Sequence, residues 1–151
     1  MSTTLSADDL MAVLPHREPI LMIDDLVVTG DLSAAVGHRT IRADEPCYSQ
    51  TEQTGSAAYP RALVVESLGQ TAAALWLHRL TVAGGDVESI GVLYFAKAEG
   101  VTFFADVSPG DYLEHEVRFD RGVGNTAFMS GRTLCGGESI AVVRSIIAAV
   151  R

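Results

Sequence analysis

A mostly apolar stretch runs from Ala62 to Leu80, two residues after Pro60. Proline is common in the first turn of a helix, and the apolar residues of this stretch fall on nearly every side of a helical period instead of on one stripe. The pattern predicts a helix over residues 61–80 that is surrounded by protein. We therefore expect this helix to be the core around which the remaining chain folds.

The rest of the chain alternates short apolar runs with turn residues, a pattern typical of strands. A short helix is predicted over residues 6–13 with Ser6 as its N-cap, and strands are predicted over 20–29, 32–41, 89–96, 101–107, 112–121, 127–135 and 139–150. Residues 43–59 lack periodicity and are expected to form a long loop. The predicted fold is α+β, a single domain over residues 1–151 in which one long central helix is wrapped by a curved antiparallel sheet of about five to seven strands.

A helix that is apolar on all sides is difficult to cover with one curved sheet. We therefore expect a second copy or a related partner chain to cover the remaining face. Dimerisation is expected to place two sheets side by side, so that they continue into one sheet and leave no edge strand open.

The chain is acidic, with a net charge of -8 and a pI of ≈ 4.8. This charge argues against nucleic acid as a partner, because the phosphate backbone favours clustered Lys and Arg. Cys47 and Cys135 lie far apart and belong to no Cys or His cluster, so neither a disulfide nor a metal site is predicted. The sequence shows no export signal and no apolar run of membrane-spanning length, which predicts a cytoplasmic protein that does not bind a membrane.

Glu66 is the only carboxylate between Tyr59 and Gly85, and Gln70 lies one turn further along the same helical face. A carboxylate in an apolar helix is costly unless it is paired, hydrogen-bonded or protonated, and such groups are common at catalytic sites. The alternative is a partly solvated Glu that is stabilised by the helix dipole near the N-terminus. The helix pattern alone leaves both interpretations open.

Five short motifs lie in a fixed order between Leu14 and the C-terminus. They are Leu14-Pro15-His16-Arg17-Glu18-Pro19 with the apolar run to Asp24, Glu45-Pro46-Cys47-Tyr48, the helix pattern of Pro60, Leu63, Glu66 and Gln70, Tyr94-Phe95-Ala96, and Val107-Ser108-Pro109-Gly110-Asp111. Together they resemble the 3-hydroxyacyl-acyl-carrier-protein dehydratases of fatty-acid synthesis. The resemblance implies a hot-dog fold, the arrangement in which a sheet wraps one long helix.

The resemblance also implies a mechanism. In this family a His on the loop and a Glu on the central helix face each other across a dimer interface, one from each subunit. The His removes the proton next to the thioester carbonyl, and the Glu helps to expel the hydroxyl as water. Glu66 matches that Glu and is therefore implied to be catalytic, without a metal or cofactor. The residues implied for substrate binding are Gln70, Pro60, Arg61, Ala62 and Leu63.

The loop departs from the family pattern, because the family's His is missing. Counting forward from Glu45 places Thr51 at the His position, and counting back from Pro60 places Glu52 there. Glu52 could replace the His as a base and form a two-carboxylate site with Glu66. The family's glycine after the helix-opening proline is also replaced here, by Arg61.

The four histidines of the chain have only modest claims to replace the missing one. His16 is expected to have a packing or hydrogen-bonding role, His38 lies in a predicted strand, and His115 is predicted to lie on a solvated strand face between Glu114 and Glu116. His78 is about 18 Å from Glu66 by helical rise, too far to act on the same carbon.

Three hypotheses follow from the sequence. The first is a dehydratase-like subunit that gives Glu66 to a composite site with a His-bearing partner in a heterodimer. The second is a self-sufficient homodimeric enzyme that dehydrates with Glu52 and Glu66 or hydrolyses a thioester. The third is a non-catalytic subunit that binds an acyl chain or stabilises a partner. The substrate would be carried by acyl carrier protein or coenzyme A, and Arg61 or Arg79 are the expected contacts for an acidic carrier.

Overall fold

The computed structural model describes residues 1–49 and 58–151, apart from the side chain of Val87. The helices are α1 (Ala7–Val13) and α2 (Arg61–Val82), and the strands are β1 (Thr3–Leu5), β2 (Asp25–Val28), β3 (Ala34–Thr40), β4 (Leu93–Phe103), β5 (Tyr112–Val123), β6 (Thr126–Cys135) and β7 (Glu138–Val150). Short 3-10 helices occur at Pro46–Tyr48 and Val87–Ser89. No helix of the described residues combines the length and apolar character that crossing a bilayer would need.

The strands form one seven-stranded sheet in the order β1-β2-β3-β5-β6-β7-β4, and every neighbouring pair is antiparallel. Helix α2 packs against this sheet, so the described chain is an α+β protein with the hot-dog arrangement expected from the sequence. In the described residues the sheet ends at β1 on one side and at β4 on the other.

Three strand predictions were wrong in their bounds. Strand β4 is continuous where two strands, 89–96 and 101–107, were expected, because β4 pairs with β7 on both sides of Gly100 and holds that glycine at a φ of 63°. Only Asp25–Val28 of the predicted strand 20–29 is a strand, since the residues before it attach to α2 through side-chain hydrogen bonds. Strand β1 was not predicted.

The N-terminal helix begins as its sequence predicts. The Ser6 hydroxyl accepts a hydrogen bond from the Asp9 amide, and the Asp9 carboxylate accepts one from the Ser6 amide, which together form a capping box. Leu10 of this helix is fully buried in the core.

Helix α2 is the buried core helix that the apolar pattern predicted. Every residue from Ser67 to Leu77 is buried within the single chain. The helix runs two residues beyond the predicted end at Leu80 and is followed by Gly84 at a φ of 93°, a conformation that glycine adopts readily. This part of the helix needs no second copy for its burial, because the sheet and the chain around α1 already cover it.

His115 is fully buried, so its predicted position on a solvated strand face was wrong. Side chains alternate along β5, and His115 lies on the inner face with Leu113 and Val117, whereas Glu114 and Glu116 lie on the outer face. Its Nδ1 is 2.8 Å from Thr133 Oγ1. Burial, with smaller effects of nearby His38 and Arg39, lowers the pKa of His115 to about 3.

The neutral state of His115 makes stability depend on pH. The unfolded chain binds a proton at this residue below about pH 6.5, whereas the folded chain stays neutral down to about pH 3. We expect the free energy of unfolding to fall on acidification through this window by about 1.4 kcal/mol per pH unit. Urea unfolding of the His115→Asn variant should show a flatter pH dependence. His78→Asn, at a half-buried position on α2, should keep the steep dependence, and equal slopes in both variants would contradict this assignment.

Candidate functional site

Glu66 lies at the boundary between the exposed and buried parts of α2. Its side chain is 38% exposed, so of the two environments left open by the helix pattern the structure has the partly solvated one. The next residue, Ser67, begins the fully buried part of the helix. Gln70, one turn further on, is buried and donates a hydrogen bond of 2.9 Å from Nε2 to Glu66 Oε1. The shared helical face predicted for Glu66 and Gln70 is therefore confirmed.

Gln70 also holds the connecting segment (residues 14–24) against α2. Its Oε1 accepts a hydrogen bond of 2.7 Å from the Met22 amide, and its Nε2 donates one of 2.8 Å to the Ile20 carbonyl. Ser67 donates a third bond between the two elements, from Oγ to the Met22 carbonyl, at 2.5 Å. The carboxamide that orients Glu66 is thus itself fixed by the backbone of the connecting segment.

The connecting segment places His16 beside Glu66. His16 Nε2 is 3.7 Å from Glu66 Oε1, and the His16 side chain is 23% exposed. Its Nδ1 is buried and has no hydrogen-bond partner among the described residues. Arg17 supports this conformation by donating from Nη1 to the Leu14 and His16 carbonyls. No pattern in the sequence predicts this approach, because His16 and Glu66 are far apart in the chain.

These side chains line a small space that we call the Glu66 cavity. It has a volume of ≈ 60 Å³ and is lined by His16, Glu66, Gly69, Gln70, Ala73, Leu93, Phe95 and Ala148. The Phe95 ring lies where a Cβ on residue 69 would lie, so a glycine is needed there for β4 to approach α2. The cavity can hold a hydroxyl group or a water molecule, which occupies about 30 Å³ in the liquid, but not an acyl chain.

A larger groove of ≈ 590 Å³ lies on the outer face of the sheet. Its floor includes Val27, Val36 and Val142, and none of the candidate residues lines it. It therefore belongs to a different surface from the Glu66 cavity.

The helix start expected to bind substrate is at the surface. Pro60, Arg61 and Ala62 are exposed and Leu63 is half-buried. Arg61 Nε lies 3.0 Å from Asp106 Oδ1, and the guanidinium lies over the Phe103 ring at 5.1 Å from its centre. The charge of Arg61 is thus already paired with a carboxylate.

Arg79, the other expected carrier contact, lies about 20 Å from Glu66 by helical rise. It donates from Nη1 to the Leu32 carbonyl, and its guanidinium lies 3.9 Å from the centre of the Phe119 ring. These contacts give Arg79 a role in holding the far end of α2 against the sheet.

Thr51 and Glu52 lie outside the described residues. The described chain on each side of residues 50–57 is fixed by a buried polar network. Glu45 accepts a hydrogen bond of 3.0 Å from the Tyr59 hydroxyl and forms an ion pair of 3.1 Å with Arg39. Burial and the Glu45 carboxylate raise the pKa of Tyr59, so its hydroxyl remains a donor at neutral pH. In the described residues no three His, Cys, Asp or Glu side chains are grouped as a metal site would need.

Comparison with known proteins gives consistent matches. The model of the FabA-like domain matches residues 14–144. The chain is 36% identical over 140 residues to the 3-hydroxyacyl-[acyl-carrier-protein] dehydratase FabZ of Roseiflexus sp. (strain RS-1), which covers 89% of this chain and 93% of that protein. The protein of the same name from Roseiflexus castenholzii (strain DSM 13941 / HLO8) is 35% identical over 140 residues. Among solved structures, the dehydratase heterocomplex ApeI:P from Xenorhabdus doucetiae matches with a TM-score of 0.77 at 13% identity, over 94% of this chain and 90% of that one, which shows a shared fold.

Gln70 offers a test of the site's construction. Gln70→Leu removes the partners of the Met22 amide and the Ile20 carbonyl, whose hydrogen bonds to Gln70 are part-buried. Leaving a fully buried polar group unsatisfied costs about 1–3 kcal/mol. We expect the free energy of unfolding in urea to fall by about 2–4 kcal/mol, whereas Ser67→Ala, which removes one bond between the same elements, should cost about 1 kcal/mol. Equal effects of the two substitutions would show that the carboxamide does not hold the connecting segment.

Proposed function

Because this chain belongs to the FabA-like domain family, we propose that it is a subunit of a 3-hydroxyacyl-thioester dehydratase of fatty-acid or polyketide synthesis. The observation that carries this proposal is the Glu66 cavity, in which a half-exposed carboxyl group has one oxygen held by a buried carboxamide. Glu66 Oε2 has no hydrogen-bond donor among the described residues, so it is available to a substrate. A carboxyl group fixed at one oxygen and free at the other is suited to proton transfer.

Glu66 would act as the acid in dehydration. The substrate loses a proton from the carbon next to the thioester carbonyl and a hydroxyl group from the following carbon. A protonated Glu66 gives its proton to that hydroxyl, which leaves as water. Gln70 would keep the carboxyl group oriented throughout the reaction.

The base that removes the carbon-bound proton would come from a partner subunit. The sequence contains no histidine between His38 and His78, so the loop around Thr51 and Glu52 carries none. The solved heterocomplex ApeI:P shows that dehydratases of this fold can be built from two kinds of subunit. We infer that this chain pairs with a related hot-dog subunit that carries a His on its loop.

The free edge of strand β4 is the proposed contact with that subunit. Tyr94, Phe95 and Val101 on β4 and Phe104 directly after it are between 38% and 64% exposed, which is unusual for large apolar side chains that lie close together. An unpaired edge strand readily accepts a strand from another chain. Since Leu93 and Phe95 of β4 also line the Glu66 cavity, a partner at this edge would lie close to Glu66.

Acyl carrier protein is the proposed carrier, as in the names of the FabZ relatives. An acidic carrier must overcome the net charge of -8 on this chain, and Arg61 is already paired with Asp106. We therefore place the main basic docking surface on the partner subunit. Coenzyme A is the alternative carrier.

The composite site predicts that this chain alone is nearly inactive. Losing a positioned base typically costs about 100-fold to 10,000-fold in rate, so we expect dehydration of a 3-hydroxyacyl thioester to appear only with a His-bearing hot-dog subunit of the same organism. Glu66→Gln should abolish the activity of the mixed dimer without preventing its assembly. The measurement is formation of the enoyl thioester, followed by mass spectrometry.

Each other outcome identifies a different function. An active lone chain in which Glu66→Gln has no effect would make Glu66 structural and contradict the proposal. Loss of lone-chain activity in both Glu52→Gln and Glu66→Gln would indicate a two-carboxylate enzyme. Release of free acid would indicate a thioesterase, and a partner that gains stability but no activity would indicate a non-catalytic subunit.

The β4 edge can be tested by placing a charge on it. Val101→Glu would bury an unpaired carboxylate in the proposed interface, so we expect the dimer to dissociate at least about tenfold more readily in sedimentation equilibrium. Val123→Glu adds the same charge at an exposed valine on β5 and should leave the dimer unchanged. A wild-type chain that stays monomeric at micromolar concentration with the partner present would contradict the interface.

A further inference from the structure

The Glu66 cavity contains a second reactive group that the dehydratase mechanism above does not use. His16 Nε2 is 3.7 Å from Glu66 Oε1, and both side chains line the same ≈ 60 Å³ space. The distance is too long for a direct hydrogen bond. It is short enough for one oxygen atom to lie within about 3 Å of both groups, which is the hydrogen-bonding range.

We propose that His16 and Glu66 together bind the leaving hydroxyl group of the substrate, with His16 donating a hydrogen bond from Nε2 to the departing oxygen. This proposal deepens the function proposed above and depends on it. Both residues that act on the departing hydroxyl group, Glu66 and His16, then belong to this chain. The half that removes the carbon-bound proton remains with the partner subunit.

The surroundings of His16 favour the tautomer that this role needs. Nδ1 is buried without a partner among the described residues, so a proton on Nδ1 would be a buried donor with nothing to bond. The neutral ring with its proton on Nε2 leaves Nδ1 as an unpaired acceptor, which proteins tolerate better than an unpaired buried N–H donor, and it directs the N–H toward the cavity. The six other residues that line the cavity carry no titratable side chain, so Glu66 is the one ionisable group in the lining that His16 faces.

The step balances with His16 as a hydrogen-bond donor. The electron pair of the broken C–H bond forms the new C=C bond, and that proton goes to the base of the partner subunit. The C–O bond breaks with its electrons on oxygen, which takes the proton of Glu66 and leaves as water. His16 keeps its proton throughout, and its N–H stabilises the negative charge that develops on the departing oxygen. Glu66 then regains a proton from solvent.

The donor role predicts selective binding of the hydroxyl group. We compare 3-hydroxyhexanoyl-pantetheine with hexanoyl-pantetheine, which differ only in that group, by calorimetric titration of the full chain in its dimeric assembly. The wild-type protein should bind the hydroxy compound roughly 3-fold to 10-fold more tightly, as one hydrogen bond in a partly buried site provides. His16→Phe keeps a ring but has no donor and should lose most of this preference. His16→Gln retains an N–H donor and should recover part of it.

His78→Phe is the matched control, because it makes the same change at a half-buried histidine about 18 Å away on α2. It should keep the wild-type preference. The proposal is overturned if the wild-type protein binds both compounds equally, or if His16→Phe keeps the full preference. Binding of neither compound would overturn the proposed function as well. Activity that is lost in Glu66→Gln but unchanged in His16→Phe would overturn only the role of His16.

A readout that requires no substrate is the tautomer of His16. Nitrogen-15 chemical shifts of the imidazole distinguish a proton on Nε2 from one on Nδ1. We expect the Nε2–H form at neutral pH in the wild-type chain and in the variant Glu66→Gln, because the burial of Nδ1 does not depend on Glu66. A dominant Nδ1–H form would remove the donor and contradict the proposal.

Discussion

The hydrogen bonds of the Gln70 carboxamide are the interaction on which the site depends. One buried side chain bonds the Met22 amide, the Ile20 carbonyl and the Glu66 carboxylate. It therefore fixes the connecting segment to the core helix. The same side chain holds the Glu66 carboxylate against both elements. Because satisfied buried polar groups define a single geometry more strongly than apolar contacts do, this carboxamide sets the position of His16 as well.

The position of Glu66 along α2 leaves its carboxyl group both accessible to water and oriented by a neighbour. Full burial of a carboxylate would be costly, and full exposure would leave it unoriented. Glu66 lies one residue before the continuously buried part of the helix, so water reaches the carboxyl group while Gln70 holds it. The same boundary leaves the start of the helix exposed, near the residues that the family resemblance implies for substrate binding.

The sequence predicted the parts of this structure that depend on local spacing. The core helix, the shared face of Glu66 and Gln70 and the Ser6 cap follow from the periodicity of a helix and its end chemistry. The burial of His115 was not predicted, because a charged residue on each side suggested solvent although strand alternation places it inward. The approach of His16 to Glu66 depends on tertiary hydrogen bonds between distant segments, which no spacing rule describes.

The residues proposed to act on the hydroxyl group and the chain on each side of the loop that lacks the family's histidine are held by separate contacts. Glu66, Gln70 and His16 are held by contacts within α2 and the connecting segment. The described chain around the loop is fixed separately, by Arg39, Glu45 and Tyr59. In the proposed mechanism the missing loop histidine is the base, whereas the residues proposed to act on the hydroxyl group are held by α2 and the connecting segment. Since the cavity also borders the open β4 edge, the missing group can be supplied from outside the chain, which makes a divided site physically reasonable in this fold.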